Sequence, residues 1–215
     1  MKLKITSALL ALAASSFAAT VSFSSVGANY DGTDDWGVVL SDGNPISPSS
    51  GMARIGYFTT FTDSEVSAYA VAKNYATLFA TGTFTTITSD DFTGIATAYG
   101  ATAGFVSAST SGYNAAGLNK TLYAYFTSGT ELGLFKTTST IVADPAQPTP
   151  ENTYLLSFAD GEAIIGAFGA DYVVPTYGPS SGTNVSVNSF QLVPEPSATL
   201  LGALGALGLL RRRRI

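Results

Sequence analysis

Alternation of apolar and polar side chains dominates the middle of the chain and predicts β-strands. In residues 121–126 the side chains of Leu122, Ala124 and Phe126 share one face with a period of two. A second apolar run follows at residues 131–136, and the Thr-Ser-Gly-Thr segment between the two runs is typical of a turn. The pattern therefore predicts a β-hairpin at this point of the chain.

Further strand-like segments lie on both sides of this hairpin. Short runs rich in β-branched and aromatic residues occur at 21–26, 36–40, 54–61 and 84–88. A second hairpin is predicted from residues 154–158 and 163–168, because the Asp160-Gly161 dipeptide between them is favoured by type I′ turns. The proline-rich residues 143–150 are expected to form a loop.

One segment has helical rather than strand spacing. Thr62 or Asp63 is expected to be the N-cap, and Glu65 in the first turn favours a helix start. Intervals of three and four residues link Val66, Tyr69, Ala70, Lys73 and then Ala76 or Thr77. The helix is expected to end near Thr81 and Gly82, since Gly can serve as the C-terminal cap. The pattern predicts a single helix in this segment.

Together these elements predict a mainly β fold. The arrangement that fits best is an antiparallel β-sandwich-like single domain with one short helix packed across it. The part of the chain between the two terminal apolar runs is about 170 residues long, which is within the usual range for one domain.

The N-terminus has the order of features of a secretory signal peptide. Lys2 and Lys4 precede an apolar run at residues 5–14, and the small residues Ser16 and Ala18 follow it. We expect this segment to form a signal helix that directs export through Sec-type machinery. Cleavage is expected after Ala18.

A second apolar run, residues 197–210, lies near the C-terminus, and it is followed by Arg211, Arg212, Arg213 and Arg214. As a helix this run is about 21 Å long, which is short of the roughly 30 Å of a hydrocarbon core. Clustered arginines stay on the cytoplasmic side of a membrane, so the rest of the chain is placed outside. The run therefore predicts a C-terminal hydrophobic helix that spans the inner membrane only marginally.

A Pro-Glu-Pro motif, formed by Pro194, Glu195 and Pro196, precedes this helix. The order of motif, apolar helix and arginine cluster resembles the PEP-CTERM sorting signal of Gram-negative-type bacteria. In that family an exosortase, a membrane protease-transpeptidase, reads the signal and cuts near the motif. The resemblance implies that the three motif residues are recognised by exosortase and that Arg211 to Arg214 are a cytoplasmic stop signal. An ordinary tail anchor with a proline-rich neck is the alternative.

The chain is thus expected to have three parts. Residues 1–18 are the signal peptide, residues 19–192 are an exported all-β body, and residues 193–215 are the sorting signal. The resemblance implies a transient anchor in the inner membrane and then a location at the cell surface or outside the cell. It covers the last part alone and implies no activity for the body.

The composition of the body excludes several kinds of chemistry. Residues 19–193 hold fourteen acidic and four basic residues, a formal charge of −10, so nucleic-acid binding is not expected. The chain has no His and no Cys, which excludes histidine-dependent triads, imidazole or thiolate metal sites and disulfides. We therefore expect that the protein is not an enzyme. A hydrolase that uses two carboxylates would require two acids close together in a cleft.

Carboxylates are the strongest metal ligands that this composition leaves. Asp31, Asp34 and Asp35 lie close together in the sequence and could offer oxygen ligands to Ca²⁺. Their spacing departs from that of an EF-hand loop, and ordinary turn acids are the alternative interpretation. No other cofactor is expected.

The function of the body is open between two classes. The chain is rich in hydroxyl groups, with 24 Ser and 27 Thr, and it has no catalytic motif. Both features favour a structural or adhesive role at the cell surface or in the extracellular matrix. The alternative is a carbohydrate-binding module for matrix polysaccharide. Tyr123 and Tyr125, on the opposite strand face from Leu122, would then form an aromatic platform for sugar rings. Strand faces also use Tyr for ordinary packing, which is the competing interpretation.

Overall fold

A computed structural model of the protein describes residues 20–25, 35–93, 103–110, 117, 119–141, 153–156, 158, 161–174 and 185–196. These residues form twelve strands and two helices. In chain order they are β1 (Thr20–Ser24), β2 (Trp36–Val39), β3 (Met52–Phe58), α1 (Asp63–Val71), α2 (Tyr75–Leu78), β4 (Phe84–Asp90), β5 (Ser107–Thr110), β6 (Thr121–Ser128), β7 (Glu131–Thr140), β8 (Thr153–Leu156), β9 (Gly161–Ile165), β10 (Ala167–Val174), β11 (Val185–Gln191) and β12 (Val193–Pro194). The prediction of a mainly β fold is confirmed.

The largest sheet is built around the hairpin that alternation predicts at residues 121–136. Its strands follow the order β12-β7-β6-β3-β4, and β9 also pairs with β7. Ser128 lies opposite Glu131, so Gly129 and Thr130 form the turn. Gly129 has a φ of 57°, a left-handed conformation that glycine adopts without strain. The local turn chemistry therefore sets the register of the central pair of strands.

Two smaller sheets have the strand orders β5-β1-β8 and β10-β11-β2. In each of them one pairing is parallel, β1 with β8 and β11 with β2, so the expectation of an antiparallel fold holds only in part. Parallel partners cannot be joined by a tight turn, and these partners are far apart in the sequence. Local alternation of side chains carries no information on such pairings.

The second predicted hairpin does not form. Strand β8 pairs with β1, whereas β9 pairs with β7 in the large sheet. There is no space for a side chain at Gly161, because an added Cβ would lie 2.2 Å from the Phe135 ring. At Gly166 the φ of 107° separates β9 from β10, so the chain leaves one sheet and enters another. The predicted strand 163–168 is therefore two strands of different sheets.

The sheets enclose one apolar core in a sandwich-like arrangement. The face of β6 that carries Leu122, Ala124 and Phe126 packs in one buried cluster with Phe23 of β1 and Phe190 of β11. This is the face that the period-two pattern assigns to the interior. The described part of the core is rich in phenylalanine, and Phe158 lies among rings from all three sheets.

Phe158 contacts five other aromatic rings in the described residues. Its ring centroid is 4.9 Å from that of Phe135 and 5.3 Å from those of Phe23 and Phe190. The rings of Phe126 and Trp36 lie at 5.7 and 5.9 Å. Aromatic pairs at these distances add to the free energy gained by burying their area. Phe158 is 2% exposed. Because its ring contacts residues of all three sheets, it connects them at one point of the core.

Two helices cover the opposite face of the large sheet, where one was predicted. The predicted start is confirmed, since Thr62 and Glu65 form a capping box. The helix ends earlier than expected, because Lys73 adopts a φ of 54° and Asn74 caps the short helix α2. The buried Val66 of α1 and Leu78 of α2 belong to a second cluster, together with Phe58, Tyr123, Leu132, Leu134 and Ile165.

The two predicted terminal helices, residues 1–18 and 197–210, lie outside the described residues. Within the described part, neither helix has the length and apolar character required to cross a membrane.

The packing around Phe158 predicts a large effect of its truncation. Phe158→Ala should lower the free energy of unfolding by about 3–5 kcal/mol, because it removes a buried ring and leaves a cavity between three sheets. Urea unfolding of the mature protein measures the change. Phe168→Ala is the matched control, since Phe168 contacts the same cluster but is 43% exposed. Equal losses in the two variants would contradict the role given to Phe158.

Candidate functional site

The Pro-Glu-Pro motif continues directly from the last strands of the body. We call residues 192–196 the junction. Leu192 is 1% exposed, and its N–H donates a hydrogen bond of 2.9 Å to the carbonyl oxygen of Val39. The side chains of Pro194, Glu195 and Pro196 are exposed. The motif therefore begins two residues after a buried core side chain.

The backbone of the junction is held on the edge of β7. Val193 lies opposite Leu132 and Pro194 opposite Glu131 in the short antiparallel strand β12. One residue further, the Glu195 N–H donates a hydrogen bond of 2.7 Å to the carbonyl oxygen of Thr130. The first two residues of the motif are thus attached to the body at the tip of the β6–β7 hairpin.

A polar network fixes the same end of the body. The N–H and Oγ of Ser41 each donate a hydrogen bond of 2.7 Å to the Glu131 carboxylate. The side-chain amide of Gln191 donates to the carbonyl oxygen of Ser41 at 2.9 Å. These contacts join the turn after β2, the start of β7 and the end of β11. The edge on which the motif lies is therefore held by contacts between two strands and a turn.

Tyr125 is half-buried and packs against the same apolar cluster as Val193 of the junction. It stacks on Phe79 with ring centroids 4.0 Å apart, and Phe84 meets it edge-on at 6.0 Å. The Arg54 guanidinium lies 5.8 Å from the ring centroid. Burial, and then the negative charge of Glu195, raise the pKa of the Tyr125 hydroxyl, while Arg54 opposes this shift.

Tyr123 shares that strand face, as predicted, and is buried more deeply. It is 1% exposed, and its ring packs edge-on against Phe58 at 5.1 Å. Its hydroxyl donates a hydrogen bond of 2.8 Å to Asp63 Oδ1. Burial, and then the bond to Asp63, raise the pKa of this hydroxyl. The Tyr123 ring is therefore buried within this face, whereas Tyr125 is half-buried against Phe79, and both rings take part in packing.

An open groove of about 640 Å³ lies at the other end of β6 and β7. Asp63, at the first position of α1, is its central polar residue. The Asp63 carboxylate accepts a hydrogen bond of 2.9 Å from the Thr121 hydroxyl and forms an ion pair of 2.9 Å with Lys136. The remaining lining residues are Thr137, Thr138, Thr140, Gly161 and Glu162.

The ion pair between Asp63 and Lys136 in this groove has a structural role. Burial favours a higher pKa for the Asp63 carboxyl, but the hydrogen bonds from Lys136 and from two hydroxyls outweigh it, so the pKa is lowered. A carboxylate held ionised in this way is a poor proton donor at neutral pH. Its contacts tie the N-terminus of α1 to strands β6 and β7.

The predicted calcium ligands are described only in part. Asp35 is buried, at 1% exposure, immediately before β2, whereas Asp31 and Asp34 lie outside the described residues. Within the described part of the chain, no three carboxylates form a group that could hold a metal ion. Calcium binding by Asp31, Asp34 and Asp35 stays a prediction. Ala18 and the arginines Arg211, Arg212, Arg213 and Arg214 also lie outside the described residues.

The attachment of the motif to β7 and the partners of Asp63 are not among the features predicted from the sequence. One signal for the attachment was present, because Val193 is β-branched and precedes proline, which favours an extended backbone. The sequence indicates Asp63 only as a candidate N-cap. Its partners Thr121 and Lys136 are far away in the sequence, and no local pattern connects them.

The fold and the junction define a mainly β protein whose last strand leads into a C-terminal sorting signal. Residues 192–214 match the family model of the PEP-CTERM protein-sorting motif. The chain therefore carries a signal that targets an exported protein to an exosortase, and the resemblance drawn from the sequence is confirmed. The match does not extend to residues 19–191 of the body. No curated protein and no solved structure matches the chain.

The ion pair in the groove predicts a pH-dependent contribution to stability. The lowered pKa of Asp63 means that its contribution is present above about pH 4, the usual carboxyl pKa, and is lost as the pH falls through the lowered value. Asp63→Asn should cost about 1 kcal/mol at pH 7, since the pair is partly exposed. This difference should shrink at pH 2–3.

Urea unfolding at both pH values measures this effect. Glu162→Gln is the matched control, because Glu162 lines the same groove with an exposed side chain. A cost of Asp63→Asn that is the same at both pH values would contradict the assignment to the ionised carboxylate.

Proposed function

We propose that this chain is a non-enzymatic surface protein whose β body is delivered by exosortase-dependent sorting. Export through Sec-type machinery brings the body across the inner membrane, where the C-terminal apolar helix anchors it transiently. Processing near Pro194, Glu195 and Pro196 then leaves the body at the cell surface or in the extracellular matrix. The observation that carries the proposal is the sorting motif at residues 192–214, which continues from the last strand of the body.

The role proposed for the delivered body is structural or adhesive. The absence of His and Cys from the chain removes the commonest general base and the thiolate nucleophile, so no Ser in the chain can be activated by a histidine. The Asp63 carboxylate in the groove is occupied by an ion pair and two hydroxyl groups. A core formed by aromatic side chains on three sheets suits a stable body that functions without disulfides.

Carbohydrate binding is the second candidate suggested by the sequence. The packing of Tyr123 and Tyr125 does not favour it, because Tyr123 is buried and Tyr125 is stacked on Phe79. Pull-down with matrix polysaccharide distinguishes the two roles. Binding that is lost in Tyr125→Ala but kept in Tyr75→Ala would support a sugar site, and no binding would favour the structural role.

The proposed processing route predicts the mass and the location of the mature protein. In exosortase-containing cells we expect a form that begins after Ala18 and lacks residues 211–214, recovered from the cell surface or the medium. In cells without exosortase the chain should retain these arginines and stay in the membrane fraction. Intact-mass spectrometry combined with cell fractionation measures both. A mature protein that keeps the arginines in exosortase-containing cells would refute this sorting route.

A further inference from the structure

The folded body holds the motif that the exosortase reads. Three successive contacts attach the junction: Leu192 to Val39, Val193 opposite Leu132, and the Glu195 N–H to the Thr130 carbonyl oxygen. The apolar run begins at about residue 197. Two residues of extended chain span at most about 7 Å, so the last of these contacts lies very close to the membrane-directed segment.

A protease that cuts near this motif has little free chain to bind. Enzymes and domains that recognise peptides commonly bind them as an extended strand along their own backbone. In β12 one edge of the motif backbone is already occupied by β7, and Leu192 is buried in the core. The folded body therefore competes with the enzyme for the same residues.

The attachment of β12 to β7 is short enough to open while the body stays folded. Strand β12 has two residues, one of which is a proline without an N–H donor, and its motif side chains are exposed. Short edge segments of this kind open locally at a much lower cost than the core. Leu192 and Phe190, which precede it, remain anchored in the core cluster.

We propose that strand β12 is an intramolecular mask for the sorting motif, and that its release from β7 is a required step before exosortase processing. This inference rests on the proposed function, because it concerns the timing of that processing. After release, residues 193–196 are free to enter the enzyme as an extended segment while the rest of the body stays folded. The fold thus controls how fast the body leaves its membrane anchor.

A cysteine pair that locks β12 onto β7 tests the mask. Val193 and Leu132 are direct partners across an antiparallel pair, which suits a disulfide, and the chain has no other cysteine to compete. Full-length V193C/L132C should accumulate as an unprocessed membrane form in exosortase-containing cells, and a membrane-permeable reductant should restore its processing. The control M52C/T127C locks β3 to β6, another paired position, and should be processed normally.

A second pair of variants leaves residues 192–214 unchanged. Leu132 and Leu134 are both fully buried on the same strand and face, but Leu132 lies opposite Val193 whereas Leu134 lies opposite Ile165. In pulse-chase labelling, Leu132→Ala should shorten the lifetime of the unprocessed form, while Leu134→Ala should not. Equal acceleration in both would overturn the proposal, because it would indicate general destabilisation of the body.

The outcomes separate this inference from the proposed function. Processing of V193C/L132C at the wild-type rate with its disulfide intact would overturn the mask and leave exosortase sorting standing. A wild-type chain that keeps its arginines in exosortase-containing cells would refute the sorting route itself. Blocked processing of the oxidised lock, its recovery on reduction and the selective effect of Leu132→Ala would together support release of β12 as the required step.

Discussion

The structure depends on the aromatic contact through which Phe158 joins three separate sheets. Its neighbour Phe190 rests on the bare backbone of Gly133, where an added Cβ would lie 2.7 Å from the Phe190 ring and 2.6 Å from Leu192. Because Phe190 and Leu192 are seated there, the chain leaves β11 at a fixed point and passes onto the edge of β7. The position of the sorting motif is therefore a consequence of how the core is packed.

The body achieves this packing with few charges. Neutral hydroxyls supply many of its polar contacts, as when Thr137 donates to the Leu122 carbonyl oxygen at 2.8 Å within the large sheet. The ion pair between Asp63 and Lys136 attaches α1 to this sheet but is partly open to solvent. Such contacts fix geometry more than they add free energy, so apolar burial carries most of the stability. This division suits an acidic protein whose charges repel one another.

Local features could be predicted from the sequence, and long-range ones could not. The hairpin at residues 121–136 and the helix start at Thr62 depend on neighbouring residues, and both can be predicted from the sequence. The parallel pairing of β8 with β1 depends on partners more than a hundred residues apart, so a favourable Asp-Gly turn gave the wrong partner. The face of Tyr123 was predicted, but its burial depends on helices whose position no periodicity reveals. The sorting motif was recognisable because its residue types and order are continuous in the chain.

The position at which the motif leaves the body also distinguishes the two ends of the large sheet. The β6–β7 turn, the turn after β2 and the start of the sorting signal lie together at one end of the large sheet. Thr121 and Thr140, which face each other at the opposite end of the same two strands, lie about 23 Å away along β6. When the body is attached to a membrane or surface through its C-terminus, the hairpin tip therefore lies near that support. The Asp63 groove then lies at the far end of the body and faces the surroundings of the cell.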